Sequence, residues 1–296
     1  MHAHQPIATW IHLRPTRPPD ASRIHTPAVA REPRTAPTLT PMGAERHLRI
    51  ERRFRGPARS GNGGYTAGLL GAALEPGTAQ VTLRRPPPLE TDLVLTSGDG
   101  SATLTGPDGV VADATELGAL TEARIEPVSV DEARAVESSY KGLVNHPFPS
   151  CFACGPDNTG GLRLRPGLVG PGRTACTWTP ATDLAPAADP GDDTVELGDD
   201  MAEPGDGAVA TPYVWAALDC PGGWTADLEG RPMVLGRLAV AIDSTPRTGQ
   251  TYVVVGQHLG DEGRKTFTAA GLYDAQGRLL ASARHTWIAV DPAAFE

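Results

Sequence analysis

Four small constellations in this 296-residue chain have residue types that chemistry uses. Cys151 and Cys154 form a C-x-x-C pair, but Cys176 and Cys220 stand singly, whereas a structural zinc site takes two such pairs or added histidines. The pair therefore reads as small buried thiols in a tight turn, with no metal site expected, and without a secretory signal disulfides are disfavoured as well. The run Gly61-Asn62-Gly63-Gly64-Tyr65-Thr66 fails the dinucleotide fingerprint, because Thr66 stands where the third glycine belongs and no parallel βαβ pattern surrounds it. In Gly260-Asp261-Glu262-Gly263-Arg264-Lys265-Thr266 an arginine separates glycine from lysine and the context is a hairpin, so it is not a phosphate loop. A nucleophile elbow, G-x-S-x-G, is absent. What remains is a carboxylate and an imidazole in apolar company. Asp219, between Leu218 and Cys220 near a helix C-terminus, is destabilised as an anion by both its neighbours and the helix dipole, so its pKa should be raised into the range that suits a general base near neutrality. His285 shares a strand face with Ala283 and Trp287, where a histidine is either a satisfied core residue or a catalytic one.

The elements that must carry these residues come in two similar sets. Residues 63–95 set without gaps against 222–254 share ten identities, including Thr66/Thr225, Val81/Val240 and Pro87/Pro246. Each set continues into apolar alternations broken by turn signals, Gly98-Asp99-Gly100 and Pro107-Asp108-Gly109 in the first, Gly260–Gly263 and Asp274–Gly277 in the second. The pattern is a short helix followed by an antiparallel meander, twice. Strands near 250–259, 264–273 and 279–290 are the clearest, and in the last of them Leu279, Ala281, Ala283, His285, Trp287 and Ala289 fall on one face that should be buried. Two such helix-on-sheet units in one chain can pair side by side, which gives an α+β architecture.

The second helix has two registers. The ungapped match starts it at Gly222-Gly223, but Gly230 and Pro232 would then lie inside it. The preferred register starts at Thr211-Pro212, with an N-cap threonine and an early proline, and runs to Asp219, ending before Pro221. This sets Thr211 against Gly63 and Asp219 against Gly71, with an 11-residue insertion before the next strand, since the offset of 148 becomes 159.

Composition bounds the function classes. Hydrophobic residues at 40% and charged residues at 21% are those of an ordinary folded chain. Net charge is -9, yet residues 183–206 alone carry nine acids and no base, while residues 1–42 are basic and rich in proline. The remainder is close to neutral, so no nucleic-acid partner is expected. Apolar runs are too short to span a membrane and the start lacks an apolar signal core, so a cytoplasmic protein without a membrane partner is expected. Residues 1–42 read as a disordered tail, 43–120 as the first unit, 121–150 as a linker, and 151–296 as the second unit with an acidic loop at 183–206.

The segment Cys151-Phe152-Ala153-Cys154-Gly155-Pro156-Asp157-Asn158, followed by Gly161-Leu162-Arg163-Leu164, resembles the opening of hotdog-fold thioesterases. The duplicated unit is similar to the double hotdog of type II acyl-CoA thioesterases. In single-hotdog thioesterases of the phenylacetate-degradation type, a Gly-Gly opens the central helix and a catalytic carboxylate follows about two turns later. Asn62-Gly63-Gly64 resembles that start, and the acid position falls at Gly71 in the first unit and at Asp219 in the second. In the type II enzymes a helix Asp acts with a strand hydroxyl and a strand Gln; by resemblance Asp219 takes the place of the Asp and His285 that of the Gln, while the hydroxyl position falls near Gly236 and is unmatched.

The resemblance implies a double hotdog that hydrolyses acyl-CoA or another acyl thioester without cofactor or metal, with Asp219 as base or nucleophile and His285 orienting water or donating to the thioester. Asn62, Gly63, Gly64, Tyr65 and Trp215 would bind the substrate, with backbone N–H groups at the helix start receiving the developing oxyanion. Gly71 in place of an acid leaves one competent site per chain. Arg163, Arg165, Arg264 and Lys265 are candidates for the coenzyme's phosphates, and association into a homo-oligomer stays open. The rival readings are an acyl or acyl-CoA binding protein without turnover, and a hydratase, which lacks the Asp-x-x-x-x-His pair on a helix.

Overall fold

Alternation of apolar and polar residues builds one continuous antiparallel sheet in the computed structural model, which describes residues 44–120, 125–186, 207–291 and 293. The expected tail at 1–42 and most of the acidic loop lie outside the described residues. The first unit contributes β1 (Ala44–Leu48), helix α1 (Gly63–Gly71), β2 (Thr78–Leu83), β3 (Leu93–Gly98), β4 (Ser101–Gly106) and β5 (Gly109–Leu117). After helix α2 (Val130–Val136), the second contributes β6 (Gly167–Gly170), β7 (Arg173–Trp178), helix α3 (Thr211–Gly223), β8 (Met233–Ile242), β9 (Tyr252–Glu262), β10 (Lys265–Tyr273) and β11 (Leu279–Ala289). The order across the sheet is β1-β3-β4-β5-β2-β8-β11-β10-β9-β7-β6: β3-β4-β5 and β9-β10-β11 are the expected meanders, but the strand that follows each helix, β2 or β8, crosses over to pair with the last strand of its meander, and the two units join where β2 meets β8.

That seam displays the duplication. β2 and β8 run antiparallel with Gln80 opposite Ala239, Ala79 opposite Val240 and Val81 opposite Leu238. Exchanging the units at an offset of 159 residues carries the Gln80–Ala239 pair onto itself and swaps the other two. The helices obey the shorter offset. A Cβ on Gly68 would lie 2.5 Å from Pro212 Cα, and one on Gly64 would lie 3.0 Å from Ala216 Cα, contacts that exchange at an offset of 148. The insertion between helix and strand in the second unit is therefore real, and the Gly-Gly of Gly222-Gly223 closes α3 instead of opening it.

The sheet wraps around α1 and α3, which pack on each other inside it. The inner faces of the strands and the buried sides of both helices form one core, including Leu70, Val81, Leu104, Leu218, Leu238 and Leu272. On β11 the residues Ala281, Ala283, His285 and Trp287 are buried as their alternation requires, with Leu279 and Ala289 half-buried at its ends. The outer face of the second unit is covered by residues from the expected linker: Ile125, Val128 and Ala133 pack on Ala175, Val253, Val255 and Tyr273. No helix among the described residues is long and apolar enough to cross a membrane.

Candidate active site

Helix α1 begins in a buried place because Asn62 caps it: the Asn62 Oδ1 accepts from the Tyr65 N–H at 2.8 Å. Its glycines let α3 approach closely. A Cβ at Gly64 would sit 2.5 Å from the Asp219 Cβ, so only glycine fits where the two helices meet. Asp219 thereby reaches the start of α1, and its Oδ2 accepts from the Gly64 N–H at 3.0 Å and the Asn62 Nδ2 at 3.1 Å. Its Oδ1 has no hydrogen-bond partner among the described residues. Only 2% of Asp219 is exposed. Burial, and then the charge of the Cys151 sulfur, push its carboxyl up to about 7, against the opposing pull of the Gly64 and Asn62 donors.

Asp219, Asn62 and Gly63 lie in the wall of a cavity of about 220 Å³. Leu83, Phe148, Met233, Leu235, Trp287 and Ile288 make it largely apolar, and Cys151 and Cys220 lie beside Asp219. Arg84 and Arg85 also line it; Arg84 pairs with Asp113 and Arg85 donates to the Asp108 carbonyl. One cavity thus holds a buried carboxylate, a helix N-terminus and an apolar chamber, a combination that can polarise a carbonyl and take a proton from water.

Next to the carboxylate is a thiol cluster. The sulfur atoms of Cys151, Cys154 and Cys220 all lie within 4.8 Å of one another, with Cys151 Sγ 3.7 Å from Cys220 Sγ. Hydrogen bonds from Cys154 and Cys220 hold the Cys151 thiol well below its ordinary value. The other two are pushed up, Cys154 chiefly by burial and Cys220 chiefly by its bond to Cys151. Asn62 Nδ2 lies 3.6 Å from Cys151 Sγ, so one side chain bridges the cluster and Asp219.

The structure brings together only part of the predicted set. Asn62 and Gly63 join Asp219 at the cavity. Gly64 is engaged through its N–H with Asp219, and the Tyr65 N–H with Asn62, so of the N–H groups of Gly63, Gly64 and Tyr65 at the helix start only that of Gly63 is taken by neither Asp219 nor Asn62. The Tyr65 ring stacks on Phe54 at 3.9 Å, in the core. Trp215 is 2% exposed and fills the space beside Gly71, so it acts in helix packing and not in the cavity wall. His285 is also outside the wall. Its Nδ1 lies 3.0 Å from Thr268 Oγ1 and its Nε2 3.0 Å from the Leu218 carbonyl, while the Trp287 Nε1 donates to Thr268 Oγ1 at 2.9 Å. The chain Trp287 to Thr268 to His285 to Leu218 satisfies a neutral ring, and burial pushes its pKa down to about 4. In this structure His285 is a core residue beneath α3. Arg163, Arg165, Arg264 and Lys265 do not line the cavity, which takes its positive charge from Arg84 and Arg85. Those two, and Cys151 with Cys220, were missed because only tertiary pairing brings β2, the C-x-x-C turn and α3 to one place.

No protein-family profile matches the sequence, and neither does any curated protein. Solved structures do. A protein from Novosphingobium aromaticivorans assigned as a thioesterase superposes with a TM-score of 0.55 at 13% identity, covering 84% of this chain and 96% of its own. A conserved protein of unknown function with a hot dog fold, from Alicyclobacillus acidocaldarius, gives 0.54 at 13% identity over 84% and 94%. The tesB protein of Mycobacterium avium subsp. paratuberculosis gives 0.50 at 13% identity over 79% and 89%. Sheet order, the helix pair and these likenesses define the class: the chain is an α+β hotdog-fold protein. With two units sharing one sheet, it is a double hotdog.

Proposed function

We propose that this chain is a thioester hydrolase of the acyl-CoA thioesterase type, with Asp219 as its general base. The observation that carries the reading is the Asp219 carboxylate itself, anchored through Oδ2 at the start of α1 with Oδ1 left for a substrate or water in the cavity. The thioester carbonyl lies at the Gly63 N–H, where the helix N-terminus favours the developing negative charge. Water attacks the carbonyl carbon and gives a proton to Asp219 Oδ1. The tetrahedral intermediate then expels the thiolate, which takes that proton back, so carboxylic acid and thiol leave and Asp219 is regenerated. The acyl group occupies the apolar chamber, whose volume of about 220 Å³ suits a small acyl group rather than a whole coenzyme. Arg84 and Arg85 face the anionic arm of coenzyme A. The thioesterase name of one structural relative agrees with this chemistry, and the reading places the reaction in the cytoplasm with no cofactor taking part in the steps above.

The test is thiol release from acyl-CoAs of graded length, short to long and aromatic, by the wild type and Asp219→Asn. Loss of a general base is expected to lower kcat by about 10²- to 10⁴-fold. Unchanged turnover in the variant removes Asp219 from the mechanism. Saturable acyl-CoA binding with no turnover on any thioester makes the protein a carrier, a reading that the unmatched hydroxyl position near Gly236 favours.

A further inference from the structure

We infer that Cys151, Cys154 and Cys220 form a binding site for one thiophilic divalent cation of the Zn²⁺ class, held as three thiolates at the inner end of the cavity. The inference stands apart from the proposed hydrolysis, since it concerns what the thiols hold and not what Asp219 does.

Geometry is the first support. Ligand sulfurs about 2.3 Å from a tetrahedral metal lie about 3.8 Å apart, and Cys151 Sγ and Cys220 Sγ are separated by 3.7 Å. All three sulfurs converge within 4.8 Å although Cys220 comes from a helix 69 residues beyond Cys151. The C-x-x-C turn is built tightly: the Gly155 N–H closes on the Cys151 carbonyl at 2.8 Å, and a Cβ at Gly155 would lie 2.4 Å from the Cys151 nitrogen.

Hydrogen-bond accounting is the second. The Trp224 Nε1 donates to Cys154 Sγ at 3.5 Å, and Asn62 Nδ2 points at Cys151 Sγ at 3.6 Å. His146 Nε2 lies 3.2 Å from Cys154 Sγ. Because the Phe148 N–H donates to His146 Nδ1 at 2.9 Å, the ring proton of a neutral His146 sits on Nε2, which makes it a donor to the sulfur and not a ligand. Three thiols would add three S–H donors to these three N–H donors, against sulfurs that accept weakly. Binding a cation releases the three thiol protons to solvent and turns the N–H groups into charge-assisted partners of thiolates, the arrangement that outer-shell donors make around metal ligands. Cys151 and Cys220, but not Cys154, line the cavity, so the fourth coordination position faces it and a water fills that position. The cation would pin the turn that opens the second unit onto α3 one residue from Asp219.

The full chain, purified under reducing conditions without chelator from zinc-supplemented cells, is expected to carry one metal per chain by elemental mass spectrometry. Metal-stripped protein titrated with Co²⁺ should develop tetrahedral d–d and thiolate-to-cobalt charge-transfer bands that saturate at one equivalent. Cys220→Ser should abolish the bands, and Cys176→Ser, which alters a buried thiol on β7 outside the cluster, should keep them. Trp224→Phe, which keeps an aromatic ring but not the indole N–H, should weaken affinity by roughly 10- to 100-fold if the sulfur is a metal-bound thiolate. Should Cys220→Ser fail to fold, the wild-type titration and Trp224→Phe decide. Folded wild-type protein with all thiols reduced that holds substoichiometric metal and gives no charge-transfer band overturns the inference, whatever its thioesterase activity.

Discussion

The two ends of the helix pair are built from equivalent positions and differ in nearly every group that chemistry needs. At the start of α1, Asn62 caps through its side chain, Gly64 offers an N–H, and Asp219 arrives from α3. At the start of α3 the equivalent residues are Ala210, which makes no side-chain cap, Pro212, which has no N–H to offer, and Gly71 arriving from α1. The space an acid would need at Gly71 is taken by the Trp215 indole, with Cζ2 of the ring 2.6 Å from where a Cβ would stand. The scaffold is thus repeated at both ends, while the donors and the acid are present at one. The proposal of a single competent site thus rests on three differences between the ends, not on one.

The strongest way to break this comparison is to move the acid. Gly71→Asp in an Asp219→Asn background is expected to stay at the reduced turnover of the single variant, about 10²- to 10⁴-fold below wild type, because Pro212 and Ala210 give the new carboxylate no donors. Thiol release with circular dichroism as a check on folding reads this out. Recovery of most of the activity would mean the two ends are chemically equivalent and the lone-site reading is mistaken.

A second difference lies beneath the helices. α3 has 13 residues against 9 in α1, and the added turn covers β11. His285, opposite Leu238 in the second unit, is 3% exposed, whereas its counterpart in the first unit, Glu116 opposite Ala79, is in solvent. Folded His285 stays neutral down to about 4, while the unfolded chain takes up its proton near 6.5. The unfolded state therefore binds more protons in that window, and His285 withdraws stability as pH falls from 6.5 to 4, by up to roughly 3 kcal/mol. The stability difference between wild type and His285→Gln, by denaturant unfolding, should shift against the wild type by that amount across the window, since taking the difference cancels the other titrating groups. A flat difference would show that His285 is charged or solvated in the folded protein.

Much of this was legible in the sequence, for reasons that are local. Alternation marked β9, β10 and β11, and Thr211-Pro212 before an apolar run marked the helix that carries Asp219, because both signals are carried by near neighbours. The helix end was not legible. Pro221 predicts a stop, yet α3 continues to Gly223. Packing overrides the proline: a Cβ on Gly222 would meet His285, and one on Gly223 would meet Trp287, while Thr174 Oγ1 donates to the Pro221 carbonyl at 2.7 Å. Thr211, expected as the N-cap, is the first helical residue, and Ala210 holds the cap position without a side chain to do the work. The meeting of Cys220 with the C-x-x-C turn depends on how α3 lies inside the sheet, which no spacing along the chain encodes. The same is true of His285, whose position on a buried face was readable but whose partners, Thr268 and the Leu218 carbonyl, were not.

The smallest expected effect sharpens the comparison at the caps themselves. Asn62→Ala should cost about 1–2 kcal/mol for the lost cap, and because Asn62 also donates to Asp219 it should lower turnover in the same variant. Ala210→Ser adds a hydroxyl at the equivalent place, where the backbone already has the extended conformation an N-cap needs (φ -62°, ψ 141°). It is expected to stabilise by up to about 1 kcal/mol and to leave turnover unchanged, because the proposed mechanism uses nothing at that end. Thermal melts of the two variants beside kcat values separate the two roles of a cap. If Ala210→Ser changes turnover as Asn62→Ala does, the second helix start belongs to the catalytic machinery after all; if Asn62→Ala loses stability alone, the Asn62 contact with Asp219 holds the helices together and takes no part in the reaction.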